Sequence, residues 1–261
     1  MAEMFNSRYL LKQLVKRDIL SRYKGSILGL FWTFVVPILM LVVYTFVFSV
    51  VFEARWNVQE DNHLQFALII FSGMTIFNFF SEAINRSPSL IVSNSNYVKK
   101  VIFPLHLLPV STVLSALVHM VISFVILIVG VTVLGDGVKL TILYAPIVLM
   151  PIVLFTLGLA WILASLGTYI RDIGYIVNVL TSALMFLSPI FYPIDSVPEE
   201  IKFLYYINPV SYTVEDIRNI VIWGLSPNFH WLLIGTLSGL LISVVGFYWF
   251  KKTRSGFADV L

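Results

Sequence analysis

The sequence contains no cysteine among its 261 residues, which excludes disulfides, thiolate metal sites and cysteine nucleophiles. Charge is scarce as well. Asp, Glu, Lys and Arg make up 12% of the chain, about half the roughly 25% that is usual in soluble proteins. Hydrophobic residues make up 59% and occur in long runs. This composition predicts an all-α integral membrane protein, because uncharged runs of such length cross a bilayer as helices.

Sequence motifs of several enzyme classes are missing too. The chain has no GxxxxGK[ST] phosphate-binding loop, no HExxH and no GxSxG, and it offers no acidic pair in a plausible pocket. We therefore predict a chain that is not an enzyme, with no catalytic residues, no metal site and no bound cofactor. Any ATP and magnesium would have to be held by another subunit.

Charged residues are absent from the middle of every hydrophobic run. Ion-coupled transporters generally bury charged or strongly polar groups along their pathway, so the sequence predicts that the driving force comes from elsewhere. His119 is the only histidine predicted at mid-span. Because no carboxylate is predicted in the same spans to pair with it, a proton relay is not favoured.

The first hydrophobic run organises the topology. Residues 27–52 contain no Asp, Glu, Lys or Arg. A helix of that length reaches ~39 Å, more than the ~30 Å of hydrocarbon in a bilayer. Six Lys and Arg residues precede it, which predicts that the amino-terminal end lies on the cytoplasmic side.

Residues 5–24, in front of this run, have the pattern of an amphipathic helix. Apolar residues recur at three- and four-residue spacing, at Leu11, Leu14, Val15, Ile19 and Tyr23. A second face carries the basic residues Arg8, Lys12, Lys16 and Arg17. Such a helix is typical of the headgroup layer of an anionic leaflet, and we predict an interface helix over residues 1–26. The alternative is a solvated helix that simply precedes a span.

Five further hydrophobic runs follow. The predicted spans two to six are residues 64–81, a stretch within 105–135, a stretch within 140–170, residues 173–194 and residues 229–250. Six spans place both termini on one side, and this arrangement assigns 13 of the 17 Lys and Arg residues to the cytoplasm. The whole chain is predicted to be one transmembrane domain, with a bundle over 27–250 and a cytoplasmic tail over 251–261.

The cytoplasmic loop over residues 85–104 combines Ser and Asn clusters with a pair of lysines. Ser and Asn favour helix caps and turns, so a short helix bracketed by them is predicted. The candidate residues of this loop are Ser93, Asn94, Ser95, Asn96, Tyr97, Lys99 and Lys100. The alternative is a charged connector without a specific role.

The outer stretch over residues 188–212 is interrupted by four prolines and is rich in aromatic residues. Irregular backbone at membrane depth is tolerated where it is buried in protein or lines a cavity, so short re-entrant helices that form a lid are predicted. The candidate gate or path residues are Phe191, Tyr192, Tyr205, Tyr206 and Tyr212. An ordinary interfacial aromatic belt is the alternative.

Several stretches, in this order, carry a resemblance to a known family. They are RYKGSILGLFWTFVVPILM, NYVKKVIFPLHLLPV, YIRDIGYIVNVLTSALMFLSPIFYP, YINPVSY and the final GFADVL. With them the sequence resembles the membrane permeases of type-2 ABC exporters. The most similar branch moves lipid-linked O-antigen, capsule or teichoic acid polymers.

The resemblance implies roles for the candidate residues. Residues 11–23 match the interface helix of that family, residues 93–100 its coupling helix, which docks on a separate ATPase, and residues 193–212 its paired outer gate helices. It further implies a homodimer with two ATPase subunits in the bacterial inner membrane, both termini cytoplasmic. The expected ligands are a lipid-linked polysaccharide and membrane lipids, with no nucleic acid.

Other functions remain open at the level of sequence. One is a type-2 ABC permease for a drug, haem or a lipid, and another is an ATP-independent channel or carrier. A membrane-embedded sugar transferase would require an acidic or metal-binding cluster on one face, and the sequence offers none.

Overall fold

The structure is a computed structural model that describes residues 2–47, 63–98, 103–135 and 137–261. All regular secondary structure in these ranges is helical. The α-helices are α1 (Ala2–Arg22), α2 (Trp32–Tyr44), α3 (His63–Arg86), α4 (Ser95–Val98), α5 (Leu107–Leu134), α6 (Ala145–Tyr169), α7 (Ile173–Phe186), α8 (Lys202–Ile207), α9 (Pro209–Arg218), α10 (Phe229–Thr253) and α11 (Phe257–Val260).

Five helical segments of the described chain are long and apolar enough to cross a membrane. They are Gly29–Val47, Gln65–Arg86, Leu107–Leu134, Leu140–Tyr169 and Phe229–Val260. These segments coincide with predicted spans one, two, three, four and six, so the chain is a multi-pass membrane protein. The last residues of predicted span one, 48–52, lie outside the described residues.

The predicted fifth span differs from the structure. The sequence predicted a helix over 173–194, but α7 ends at Phe186. Fourteen residues rise only about 21 Å, less than the ~30 Å of hydrocarbon. The helix stops because Pro189 has no backbone N–H to continue the ladder, and the Ser188 hydroxyl donates instead to the Leu184 carbonyl at 2.7 Å.

Helix α3 is the centre of the bundle. It contacts α2, α5, α6, α7 and α9, and nearly all of its first two-thirds is buried. The largest completely buried side chains of the chain include Leu68, Ile69, Ile70 and Ile76 of this helix. A helix that is apolar on all sides belongs in the middle of a bundle, because no face is suited to water.

Helix α3 also extends further than predicted span two, which ended near residue 81. It continues to Arg86, so Glu82 and Arg86 lie on its last turn rather than in the following loop. Their side chains therefore project from a helix that packs inside the bundle.

Helices α6 and α10 pack with their backbones in close approach. A Cβ atom added at Gly246 of α10 would lie 2.2 Å from the carbonyl oxygen of Gly158 in α6, and one at Gly239 would lie 2.8 Å from that of Pro151. The Ser243 hydroxyl donates to the Leu154 carbonyl at 2.6 Å across the same contact. Small residues allow this approach, as expected between membrane helices.

A second apolar cluster lies where α1, α5, α6, α10 and α11 meet. It contains Leu14 of α1, Ile91 of the loop before α4, Trp161 of α6 and Phe257 of α11. The Trp161 indole N–H donates to the His106 carbonyl at 3.0 Å. This cluster holds α1 and the loop before α4 against the ends of the spanning helices.

Candidate functional site

The predicted coupling loop forms a compact turn between α3 and α5. A 3-10 turn over Val92–Asn94 leads into α4, and side chains satisfy the backbone around it. The Ser93 hydroxyl donates to the Ser89 carbonyl at 2.8 Å, and the Asn94 amide donates to the Leu90 carbonyl at 2.9 Å. Ser and Asn therefore shape the segment by local hydrogen bonds, as their chemistry favours.

The structure joins this loop to α1. The Arg17 guanidinium donates to the Tyr97 hydroxyl, and its other terminal nitrogen donates to Asn94 Oδ1 at 3.4 Å. Arg17 Cζ also lies 5.3 Å from the centroid of the Tyr97 ring, within range of a cation–π contact. The Tyr97 ring also stacks on the ring of Phe103, with the two centroids 4.3 Å apart. Candidate residues from two separate sequence segments thus meet at one point.

The other candidates of these two segments are placed differently. Ser93 and Asn96 are exposed and Ser95 is half-buried, while Lys99 and Lys100 lie outside the described residues. The remaining basic candidates of α1, which are Arg8, Lys12 and Lys16, line a groove between α1 and α5. Of the predicted apolar face of α1, Leu14 is buried and Leu11, Val15, Ile19 and Tyr23 are half-buried.

The start of the loop is held tightly against the end of α6. A Cβ atom added at Gly167 would lie 2.2 Å from the Pro88 carbonyl oxygen and 2.6 Å from Pro88 Cα. No side chain larger than hydrogen fits there without moving backbone, so the position of the loop depends on Gly167.

We expect Gly167→Ala to lower the unfolding temperature of the purified protein by about 5 °C, because overpacking costs about 1–3 kcal/mol and must displace the loop. Gly174→Ala is a matched control, since its added Cβ would meet the Pro88 side chain at an ordinary 3.9 Å. The measurement is size exclusion of the purified variants after heating. Equal unfolding temperatures of the two variants would contradict the expectation.

A network of charges between α1, α3 and α5 was missed by the sequence analysis. Asp18 of α1 accepts two hydrogen bonds from the guanidinium of Arg86, one of them at 2.9 Å. One turn further along α1, Arg22 forms an ion pair with Glu82 of α3. The signal that could have indicated this network is Asp18, an acid that follows directly on the basic pair Lys16 and Arg17.

His119 of α5 completes the network. Its Nδ1 lies 3.1 Å from Glu82 Oε2 and 3.1 Å from a terminal nitrogen of Arg22. The prediction that His119 has no carboxylate partner in the spans is therefore wrong. The prediction failed because α3 is longer than expected and carries Glu82 on a helical turn inside the bundle rather than in a loop.

Asp18 lies in α1, outside the spanning helices, and its pKa is lowered. Burial acts to raise that pKa, but the hydrogen bonds and charge of Arg86 outweigh burial and hold it below its usual value. Asp18 is therefore ionised at neutral pH, and its stabilising contribution is lost only as the pH falls through this low pKa.

At the opposite end of the bundle, two of the five gate candidates contact each other. The hydroxyls of Tyr192 and Tyr205 lie 2.7 Å apart, and the Tyr192 hydroxyl lies 2.6 Å from the Phe186 carbonyl. Because a carbonyl can only accept, Tyr192 donates to Phe186 and accepts from Tyr205. This pair joins the segment after α7 to α8.

The other three gate candidates pack elsewhere. Tyr206 stacks on Trp231 of α10 at 4.9 Å with nearly parallel rings. Tyr212 packs on α10 at Gly235, where an added Cβ would lie 2.8 Å from its ring. Phe191 lies against Phe186, with the two ring centroids 6.1 Å apart. The structure therefore does not bring the five aromatic side chains to one shared surface.

Arg218, at the end of α9, is the largest completely buried side chain of the chain. Its guanidinium donates to the carbonyls of Pro189 at 2.6 Å, Ile190 at 2.8 Å and Ile69 at 3.4 Å. Glu215, one turn earlier, pairs with it at 3.0 Å. These contacts of Arg218 join residues that are distant in sequence, and the sequence analysis did not predict them.

The contacts of Arg17, the charge network around Glu82, the tyrosine pair and Arg218 all hold helices and loops of the bundle together. Among the described residues no group of three or more His, Asp or Glu side chains could hold a metal ion. Apolar spanning helices around α3, with one short segment at each end, define a multi-pass membrane protein.

Comparison with known proteins identifies the family. A family profile described as "ABC-2 type transporter" matches residues 9–222, most of the chain. The protein belongs to the ABC-2 type transporter family.

Curated relatives resemble the chain over most of its length. An O-antigen export system permease protein RfbA of Klebsiella pneumoniae is 27% identical over 261 residues, which cover 98% of both chains. The protein of the same name from Myxococcus xanthus is 32% identical over 198 residues, 76% of this chain and 74% of its own. The capsule polysaccharide export inner-membrane protein CtrC of Neisseria meningitidis is 24% identical over 209 residues, 78% of this chain and 76% of its own.

Proposed function

We propose that this chain is the transmembrane subunit of an ATP-driven exporter that moves lipid-linked O-antigen, or a similar polysaccharide, out of the cytoplasm across the bacterial inner membrane. The observation that carries the proposal is its alignment with an O-antigen export permease over 98% of both chains. Membership of the ABC-2 type transporter family supports it, and so does the set of spanning helices.

The energy would come from two copies of a separate ATPase subunit, which hold ATP and magnesium. In this proposal both termini and α4 lie in the cytoplasm, and the segment over 93–100 docks on the ATPase. ATP-driven closure of the ATPases displaces this segment, and Arg17 passes the displacement to α1 through Tyr97 and Asn94. The network of Asp18, Arg22 and Glu82 carries it into α3 and α5.

The permease would work as a homodimer with the path between the two copies. A broad apolar face of α7 supports this proposal: Tyr175 is 77% exposed, Val179 69% and Leu180 63%. Exposed aliphatic and aromatic side chains of this size suit either lipid or a second copy of the chain. The tyrosine pair at α8 would form part of the outer gate.

The proposal is tested by deletion of the gene and analysis of the cell's polysaccharide. We expect surface polysaccharide to disappear and lipid-linked polymer to accumulate inside the cell, with both effects reversed by the wild-type gene. Normal surface polysaccharide in the deletion strain would overturn the proposal. Co-purification with a nucleotide-binding subunit separates it from an ATP-independent channel.

We expect Arg17→Ala to lower export several-fold while the amount of assembled complex is unchanged, because the variant loses both the hydrogen bonds and the cation–π contact to Tyr97. Arg171→Ala, at an exposed arginine before α7, is the control and should export normally. The measurement is surface polysaccharide, with ATP hydrolysis by the purified complex recorded in parallel. Equal export by the two variants would show that this contact transmits nothing.

A further inference from the structure

Two cavities adjoin along α1. One, of about 650 Å³, is lined by Lys16, Arg17, Ser21 and Lys24 on its polar side. The other, of about 660 Å³, lies between α1 and α5. Lys16, Leu20 and Leu30 line both, so the two volumes meet at these side chains. Both are within the size range of ordinary ligand sites.

The two cavities differ in chemistry. The first carries three cations, and the described residues that line it include no Asp or Glu. Asp18, the one acid nearby on α1, is bound to Arg86 of α3 instead. Within the described residues no ion pair joins Lys16 or Lys24 to an acidic side chain, so their charge is available to an anion.

The second cavity is apolar. Its floor consists of Leu11, Val15 and Ile19 from α1 and Leu114, Leu117 and Val118 from α5. Basic residues stand at its edge, among them Arg8 and Lys12. Val121 and Val125 follow at helical spacing on the same face of α5 and are 51% and 52% exposed. An exposed apolar face on a spanning helix suits the hydrocarbon of a bilayer, so the groove is accessible to the acyl chain of a neighbouring lipid.

The backbone explains why the two chemistries are adjacent. Between α1 and α2 the chain turns at Gly25, whose φ of 88° favours glycine. Lys24 directly precedes this turn, and Lys16 and Arg17 lie about two turns earlier on α1. The apolar groove lies along the neighbouring part of α1. A phosphate beside the turn and a hydrocarbon chain in the groove would belong to one amphiphilic molecule.

We propose that the two cavities form a single binding site for one anionic phospholipid from the cytoplasmic leaflet. Its phosphate lies among Lys16, Arg17 and Lys24, and its acyl chain lies between α1 and α5. Lys and Arg side chains bind phosphate by charge-assisted hydrogen bonds, and a basic cluster beside a span attracts anionic lipid. The bilayer is the source of the ligand, because the groove opens on the lipid-facing side of α5. Since Arg17 also contacts Tyr97, the bound lipid touches the point where α1 meets the coupling loop.

The test uses the full-length protein in nanodiscs of equal phosphatidylglycerol and phosphatidylcholine, with retained lipids identified by native mass spectrometry. We expect the wild type to retain one phosphatidylglycerol per chain. The pair Lys16→Gln and Lys24→Gln should lower that retention by roughly fivefold or more. The matched control is the pair Lys251→Gln and Lys252→Gln, an exposed basic pair at the end of α10, which should retain the lipid.

A second variant tests the groove. Leu117→Trp fills it and should also release the lipid, whereas Val133→Trp, at a 72% exposed position near the far end of α5, should not. Equal loss in a variant and its control would overturn the proposal, as would a wild type that retains phosphatidylcholine equally or a lipid-linked saccharide instead. Because the readout is bound lipid, the result is independent of which cargo the exporter carries.

Discussion

Replacement of Arg218 by alanine is expected to have the largest effect of any single substitution in this chain. The guanidinium is completely buried and binds the carbonyls of Pro189, Ile190 and Ile69 together with Glu215. Alanine leaves those carbonyls without this donor and Glu215 without its cation. Removal of one partner of a buried pair costs about 3–5 kcal/mol, a large share of the 5–15 kcal/mol that stabilises a typical protein.

The expected result is a fall of about 10 °C in the unfolding temperature of the purified protein, with little or no export in cells. Fluorescence-detected size exclusion after heating measures the first, and surface polysaccharide measures the second. Arg218→Lys should rescue only in part, because an ammonium group lacks the planar fork that reaches several carbonyls. Arg171→Ala, at an exposed arginine, is the control. An Arg218→Ala variant that melts with the wild type would contradict this account.

The contacts of Arg218 explain why the effect should be widespread. The arginine sits on α9, Ile69 belongs to α3, and Pro189 and Ile190 follow the end of α7. One side chain therefore fixes α9, α3 and the segment after α7 relative to one another. The carbonyls after α7 need a donor because Pro189 interrupts the helix, and Arg218 supplies it. Gly73 of α3 leaves the space, since an added Cβ there would lie 3.1 Å from an Arg218 nitrogen.

The long spanning helices could be predicted from sequence, and the interactions of the charged side chains could not. Helix α5 falls within predicted span three and α6 within predicted span four, because a window of uncharged residues is a local property of the chain. The early end of α7 had a local signal as well, in Ser188 and Pro189. The prediction of a span over 173–194 followed the hydropathy of the run and did not take these two residues into account.

Charge positions were harder to predict because their partners are distant in sequence. Arg17 is 80 residues from Tyr97, and Glu82 is 37 residues from His119. The count of Lys and Arg in each predicted loop, which served to assign the cytoplasmic side, treats every such residue as independent of the others. It cannot distinguish an arginine in water from one, like Arg218, that binds buried carbonyls. Composition predicted a short helix near Asn94, and α4 lies there, but the contact of this segment with α1 could not be predicted without the fold.

Reversal of one charge in the network between α1 and α3 is the second change with a large expected effect. Asp18→Arg places a second guanidinium against Arg86, within a contact in which both side chains are one-third exposed or less. Like charges there repel, so α1 should separate from α3 and export should fall to near the level of the deletion strain. Arg86→Asp should fail in the same way, since it faces Asp18 and lies near Glu82.

The double variant decides whether the pair itself matters. Asp18→Arg combined with Arg86→Asp restores opposite charges across the same contact, and we expect it to recover a substantial part of the lost export. Such a double-mutant cycle isolates the interaction from the effects of each substitution alone. Asp172→Arg, at an exposed acid before α7, controls for the same change of charge at a site without an ion pair among the described residues. Failure of the double variant, with normal protein abundance, would mean that α1 does not need this pair to move with α3. A full recovery would show that opposite charges at this contact, and not the identity of either side chain, couple α1 to α3.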